Sequence, residues 1–264
     1  RGPGVPPMSG TSRGAAVGIE DLVFGYEKDR PILRGLSLEI EAGERFGILG
    51  PSGAGKSTLL LHLNGLLRGE GRVRIGDEPV GPATLASVRR RVGLVFEDPD
   101  DQLFTPTIGE DVAFGPLNLG LGREEAGRRV RDVLERVGLA GFERRNPHRL
   151  SLGERKRAAL ATVLSMAPEV VAFDEPFSNL HPALVERLMG LIAGLDATVI
   201  LVSQQILPAL AVCDRIAVLL DGRIARTGTP AEIAADRALL SAAGLDIRST
   251  LEAARRRGVD LGPE

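Results

Sequence analysis

Gly50-Pro51-Ser52-Gly53-Ala54-Gly55-Lys56-Ser57-Thr58 decides how the rest of the chain is read. Its glycines, lysine and hydroxyls stand at the spacing of a phosphate-cradling loop, G-x-x-x-x-G-K-[ST]. The flanks supply the context such a loop needs. Residues 45–49 form a short apolar strand and the leucines of 59–67 recur at helical spacing, so the nonapeptide joins a strand to a helix N-terminus. Glycines let the backbone curl until several N–H groups face inward, and the helix dipole adds partial positive charge. Lys56 then supplies a full cation to the β and γ phosphates of a nucleotide, and Ser57 is placed to hold Mg²⁺. A merely structural turn would need neither a lysine nor a hydroxyl at those two positions.

Composition narrows the alternatives. The chain has 264 residues, 43% of them apolar, enough for a sizeable core in one large or two small domains. No apolar run reaches the roughly 18 residues that a bilayer span requires. Residues 1–18 lack the apolar core of a signal peptide, so the expected compartment is the cytoplasm. The lone Cys213 excludes an internal disulfide, and three histidines are too few for a metal cluster. A net charge of −2, no tryptophan and the single Tyr26 argue against nucleic acid as the partner.

Taken in order, residues 1–16 are rich in Gly, Pro and Ser and read as a flexible leader in which Met8 could be the start. Strand-like runs at 17–24, 36–40, 45–49 and 72–75 suggest an antiparallel sheet around the first half of the loop, with Tyr26 in the turn after the first run. A further strand at 92–96 runs into an acidic loop, 97–101. Segments 108–114, 123–137 and 151–166 are helical by pattern and read as a helical subdomain over about 97–166. Continuous apolar runs at 170–173 and 199–202 flank a helix at 182–195, a βαβ crossover of parallel type. Runs 216–220 and 223–226 form a hairpin through Asp221-Gly222. The main domain is expected over 17–233, with a helical extension over 234–264. Arg89–Arg91, Arg144-Arg145 and Arg255–Arg257 read as solvated faces, and His62 and His148 have no ligand-spaced partner.

The strand at 170–173 delivers Asp174-Glu175 at its exit. Beside a phosphate loop, Asp174 suits Mg²⁺ through water, and Glu175 suits orienting or deprotonating an attacking water.

Leu150-Ser151-Leu152-Gly153-Glu154 opens a helix between the loop and Asp174-Glu175-Pro176. This order of motifs resembles ABC-type ATPases over about 17–233. The resemblance implies an α/β P-loop NTPase fold with a RecA-like core, an antiparallel β subdomain and a helical subdomain. It also implies ATP with Mg²⁺, Tyr26 stacking on adenine, and Ser57, Asp174 and Glu97 as metal-side ligands. Phe96-Glu97-Asp98-Pro99-Asp100-Asp101-Gln102-Leu103-Phe104, followed by Glu110-Asp111-Val112-Ala113-Phe114-Gly115, is similar to the ATPase subunits of energy-coupling-factor and cobalt or nickel importers. In that group two subunits pair head to tail, each ATP lying between one phosphate loop and the other subunit's Ser151 and Gly153. A transmembrane coupling subunit would dock at 97–104, leaving the chain peripheral on the inner face of the cell membrane.

Four positions depart from the family pattern: Glu97 replaces a glutamine, Leu152 the first signature glycine, His181 an aspartate, and Gln204 the switch histidine. A glutamine amide donates a hydrogen bond but cannot carry imidazolium charge or exchange a proton, so hydrolysis should suffer more than binding. Two readings follow: a transport ATPase importing a metal ion or vitamin, with Glu175, Gln204 and Glu97 at the chemistry, or a weakly hydrolysing partner in a heterodimer. A soluble non-transport ABC protein is a third, but such relatives carry coiled-coil insertions or a second cassette.

Overall fold

The computed structural model describes residues 14–245; Met8, Arg255–Arg257 and the part of the expected extension after residue 245 lie outside them. In chain order the strands are β1 (Val17–Phe24), β2 (Leu33–Ile40), β3 (Arg45–Leu49), β4 (Glu70–Ile75), β5 (Glu78–Pro79), β6 (Val92–Val95), β7 (Val170–Asp174), β8 (Thr198–Ser203), β9 (Arg215–Leu220) and β10 (Arg223–Gly228). The helices are α1 (Lys56–Leu63), α2 (Leu85–Arg91), α3 (Ile108–Asn118), α4 (Arg123–Arg136), α5 (Leu152–Leu164), α6 (Pro182–Ala193), α7 (Ile206–Val212), α8 (Pro230–Ala235) and α9 (Arg237–Ala242).

Strand β3 is the centre of a six-stranded sheet ordered β10-β9-β3-β8-β7-β6. It pairs in parallel with both β8 and β9. This corrects the expectation that residues 45–49 belong to the antiparallel set. A strand of five residues, most of them apolar, carries no direction of its own, and the partners that set it, around Val199 and Ile216, lie far along the chain. The antiparallel sheet is the separate four-stranded β2-β1-β4-β5, and the Asp221-Gly222 hairpin joins β9 to β10 as expected.

Because side chains alternate across a strand, the parallel sheet feeds two cores. Phe46, Ile48, Ala172, Ile200 and Val202 point toward the antiparallel sheet and α1. Leu49, Val171, Phe173, Val199 and Leu201 point the other way, into the core shared with α3 through α7. Burial on both faces explains why these strands read as unbroken apolar runs. Helices α3, α4 and α5 pack on one another, and Ser165 fastens α5 to α3 by donating its hydroxyl to the Val112 carbonyl at 2.8 Å.

Helix α1 stops at Leu63 rather than at residue 67, because Gly65 at φ +67° leaves the helical path. Two further elements, β5 and α2, carry no strong periodic signal in the sequence. Nor is Arg91 at the end of α2 a solvated charge: its guanidinium binds both carboxylate oxygens of Glu169 at 2.8 and 2.9 Å and Glu78 at 3.1 Å. Arg145 stays exposed, as expected, with its guanidinium 3.7 Å from the centroid of the Phe142 ring.

Candidate functional site

Sheet register brings the site together. Leu49 stands opposite Ser203, Asp174 opposite Val202 and Val95 opposite Phe173, so the carboxyl ends of β3, β8, β7 and β6 finish at one level. Segments leaving those ends therefore converge, at the edge where open parallel sheets hold their ligands. The segment leaving β3 is the loop 50–55. A side chain at Gly50 would run into the Leu219 carbonyl oxygen, and Gly55, at φ +100°, turns the chain into α1 in a conformation open to glycine. No side chain caps the N-terminus of α1, which leaves its first N–H groups for an anion.

Lys56 opens α1 and is only 6% exposed. Its Nζ donates to the carbonyls of Gly50 at 2.9 Å and Pro51 at 3.0 Å, and lies 3.5 Å from Glu175 Oε1. The Ser57 hydroxyl donates to Asp174 Oδ1 at 3.0 Å. Glu175 is buried and adopts φ +41°, which swings its carboxylate back toward the loop. Oε2 accepts from the Ser203 hydroxyl at 3.2 Å and the Gln204 N–H at 2.9 Å, whereas Oε1 has no hydrogen bond among the described residues. Burial pushes the Asp174 carboxyl above the usual aspartate range; the Ser57 hydrogen bond pulls it down, and the charges of Glu175 and Glu97 add to the rise.

The expected residues thus fall into two groups. Lys56, Ser57, Asp174 and Glu175 form one connected cluster, with the Gln204 backbone bonded to it and the charge of the exposed Glu97 felt at Asp174. The Gln204 side chain is exposed and makes no hydrogen bond among the described residues. Outside the cluster, Tyr26 stands 63% exposed with its ring edge-on to Phe24 at 5.1 Å. Ser151 caps α5 in a capping box with Glu154, and Gly153 follows within the first turn, packed toward Leu184. His181 heads α6 without a capping bond from its side chain.

The acidic loop is held from within. Asp98 accepts from the Asp100 N–H at 2.9 Å, Asp100 pairs with Arg155 at 3.2 Å, and Asp111, nearly buried, accepts the N–H groups of Phe104 and Thr105 at 3.1 and 3.0 Å. Beside it the exposed Phe104 and Phe114 rings meet edge to face at 5.0 Å, and Leu117 extends the apolar patch.

The sequence reading missed Lys156. It is 6% exposed, and its Nζ reaches the carbonyls of Glu175 and Pro176 and the Ser178 hydroxyl. A signal was available: Lys156 stands three residues after Gly153 and four before Leu160, both buried, on the inward stripe of α5. His62, expected to have no ligand partner, bonds within its own helix. Its Nδ1 lies 2.7 Å from the Thr58 carbonyl within α1, and burial lowers its pKa.

A phosphate loop with a buried lysine beside two carboxylates, at the carboxyl ends of parallel strands, defines a P-loop nucleoside-triphosphate site. Residues 33–178 match the model of the family described as ABC transporter, and the chain belongs to that family. It is 47% identical over 230 residues to an ABC transporter ATP-binding protein of Streptomyces avermitilis, covering 87% of this chain and 88% of that protein. It is 44% identical over 226 residues to the energy-coupling factor transporter ATP-binding protein EcfA of Methanocaldococcus jannaschii, covering 83% and 81%. Among solved structures it is similar to CbiO1 from Clostridium perfringens, described as part of the ABC transporter complex CbiONQ, with a TM-score of 0.78, 32% identity, and 92% and 99% of the two chains covered. It is also similar to the dimer of an ATP-binding cassette in a post-hydrolysis state with ADP and Pi, with a TM-score of 0.72, 28% identity, and 81% and 98% covered. The chain is therefore an ATP-binding, ATP-hydrolysing member of this family. Among the described residues no helix is long and apolar enough to cross a membrane.

Proposed function

We propose that this chain is the ATP-hydrolysing subunit of a membrane importer of energy-coupling-factor type for a metal ion or vitamin. It works on the inner face of the membrane as a dimer with a second such subunit. The observation that carries this reading is the Lys56, Ser57, Asp174 and Glu175 cluster: a buried cation and two carboxylates converge on a helix N-terminus with free N–H groups. Similarity to EcfA of M. jannaschii and to CbiO1 supports the transporter type.

In this reading the amides of residues 50–58 and the Lys56 ammonium take the β and γ phosphates, while Tyr26 offers its exposed ring to the base. The donor set fits Mg²⁺. Among the described residues no group of three or more His, Cys, Asp or Glu is placed to hold a metal ion by itself, but this ion uses few protein ligands beside phosphate and water. Ser57 and Asp174, already joined at 3.0 Å, would hold it with Glu97 nearby, and when bound it neutralises phosphate charge. Glu175, released from Lys56 as phosphate takes its place, orients the attacking water and accepts its proton. Ser151 and Gly153 complete the opposite site, and residues 97–104 with Phe104, Phe114 and Leu117 receive the transmembrane subunit.

One observation favours a second reading, a slow partner in a heterodimer: at the switch position only the Gln204 backbone engages Glu175, and its side chain lies in solvent. Steady-state hydrolysis by the parent and by Glu175→Gln tests the assignment. Turnover should fall on the order of 10²-fold or more in the variant, the share of a general base. Equal rates would remove Glu175 from the chemistry.

A further inference from the structure

Helix α5 carries one buried cation. Lys156 Nζ donates to the Ser178 hydroxyl at 2.9 Å, the Pro176 carbonyl at 3.2 Å and the Glu175 carbonyl at 3.3 Å. An ammonium has three N–H donors, and all three are directed at a single turn, the one that leaves β7. A lysine is rarely buried without a purpose for its charge, and burial here lowers its pKa, opposed by the charges of Glu97, Glu175 and Asp98.

That turn is conformationally unfavourable. Glu175 at φ +41° and Asn179 at φ +58° both occupy the left-handed region without being glycine. Such residues persist where the surroundings over-determine them. Lys156 binds the carbonyl of the first strained residue and the hydroxyl of the residue just before the second, so its contacts bracket the distortion. The carboxylate of Glu175 is held separately, by Ser203, Gln204 and Lys56. Its direction depends on the left-handed backbone beneath it: at an ordinary negative φ the side chain would leave β7 on a different course.

We propose that Lys156 is a positioning residue for hydrolysis, holding the backbone of Glu175 in the left-handed turn that aims its carboxylate at the phosphate loop. Lys156 touches neither nucleotide nor water in this role; it acts through Glu175. The inference rests on the proposed part of Glu175 in the chemistry.

The test compares Lys156→Met with the parent, and Lys156→Met/Glu175→Gln with Glu175→Gln, by single-turnover and steady-state ATP hydrolysis with nucleotide titration. Displacing a reacting group by about an ångström costs on the order of a hundredfold. The kcat of Lys156→Met should therefore fall roughly ten- to hundredfold, with KM and nucleotide affinity nearly unchanged. In the Glu175→Gln background the same substitution should produce no further loss. If Lys156→Met does not fold, Ser178→Ala replaces it: losing one hydrogen bond should lower kcat about two- to tenfold, again only when Glu175 is present. Unchanged turnover, or the same proportional loss in both backgrounds, overturns the role of Lys156 while leaving Glu175 in place. Parent-like turnover in Glu175→Gln overturns the assignment of Glu175, and this inference with it.

Discussion

Replacing Lys56 by methionine should destabilise the nucleotide-free protein, and the loss should be partly repaired by neutralising Glu175. The two side chains are 6% and 9% exposed and 3.5 Å apart, so solvent screens the pair little. Without the ammonium, Glu175 keeps Ser203 and the Gln204 N–H on Oε2, but Oε1 loses the ion pair with Lys56 and has no hydrogen bond among the described residues to replace it. Breaking a buried pair in this way typically costs ~3–5 kcal/mol, because a charge is left uncompensated. The surviving bonds on Oε2 favour the lower end. For a domain of this size each kcal/mol moves Tm by about 2–4 °C, so Lys56→Met should melt roughly 6–12 °C below the parent. Lys56→Met/Glu175→Gln should recover about half of that, since the charge that was stranded is gone. Differential scanning calorimetry without nucleotide reads both. A Tm for Lys56→Met within about 1 °C of the parent, or equal losses from Lys56→Met in the parent and Glu175→Gln backgrounds, would refute the coupling.

Further outcomes follow from the same geometry. Gln204→His should raise steady-state hydrolysis about tenfold or more at unchanged ATP affinity by supplying, at the switch position, a side chain that can carry charge and exchange a proton; no change in rate would show that glutamine suffices at this position. Asp100→Ala with Asp101→Ala should release the transmembrane partner in a pull-down while ATP binding persists. Because Asp100 also pairs with Arg155, Asp101→Ala alone must show part of the effect for docking to be the cause. Burial raises the Asp111 carboxyl above its ordinary value near 3.8, against the pull of the Thr105 and Phe104 N–H groups. The folded state therefore binds that proton more readily than the unfolded state, and Asp111 contributes stability as pH falls from neutral through its raised folded value. Urea titrations from pH 7 downward should show the parent gaining on Asp111→Asn, and a parallel pH response of the two proteins would refute this.

What could be read from the sequence was whatever repeats or sits at fixed spacing. The loop 50–58 announced its strand and its helix, Asp174-Glu175 announced the end of β7, and Asp221-Gly222 announced a hairpin. What could not be read depended on partners distant along the chain. Strand β3 looked like its antiparallel neighbours because a short, mostly apolar strand looks alike in either sheet, and its direction comes from Val199 and Ile216. Arg91 lies among other basic residues and reads as solvent-facing, and Lys156, with Arg155 and Arg157 beside it, drew no reading at all. Glu169 and the carbonyls after β7, which give them purpose, become neighbours only when the sheet forms. The ion pair between Lys56 and Glu175 was hidden for the same reason, although each residue was singled out alone.

The central claim is that residues 50–58 and the carboxylates beside them form an ATP site, and a calorimetric titration of ATP with Mg²⁺ into the parent and Lys56→Ala tests it most directly. The parent should bind one nucleotide per chain. Lys56→Ala should bind it at least about tenfold more weakly, the equivalent of ~1.4 kcal/mol or more for losing a buried cation at the phosphates. Equal affinities, or no binding by the parent, would contradict the account.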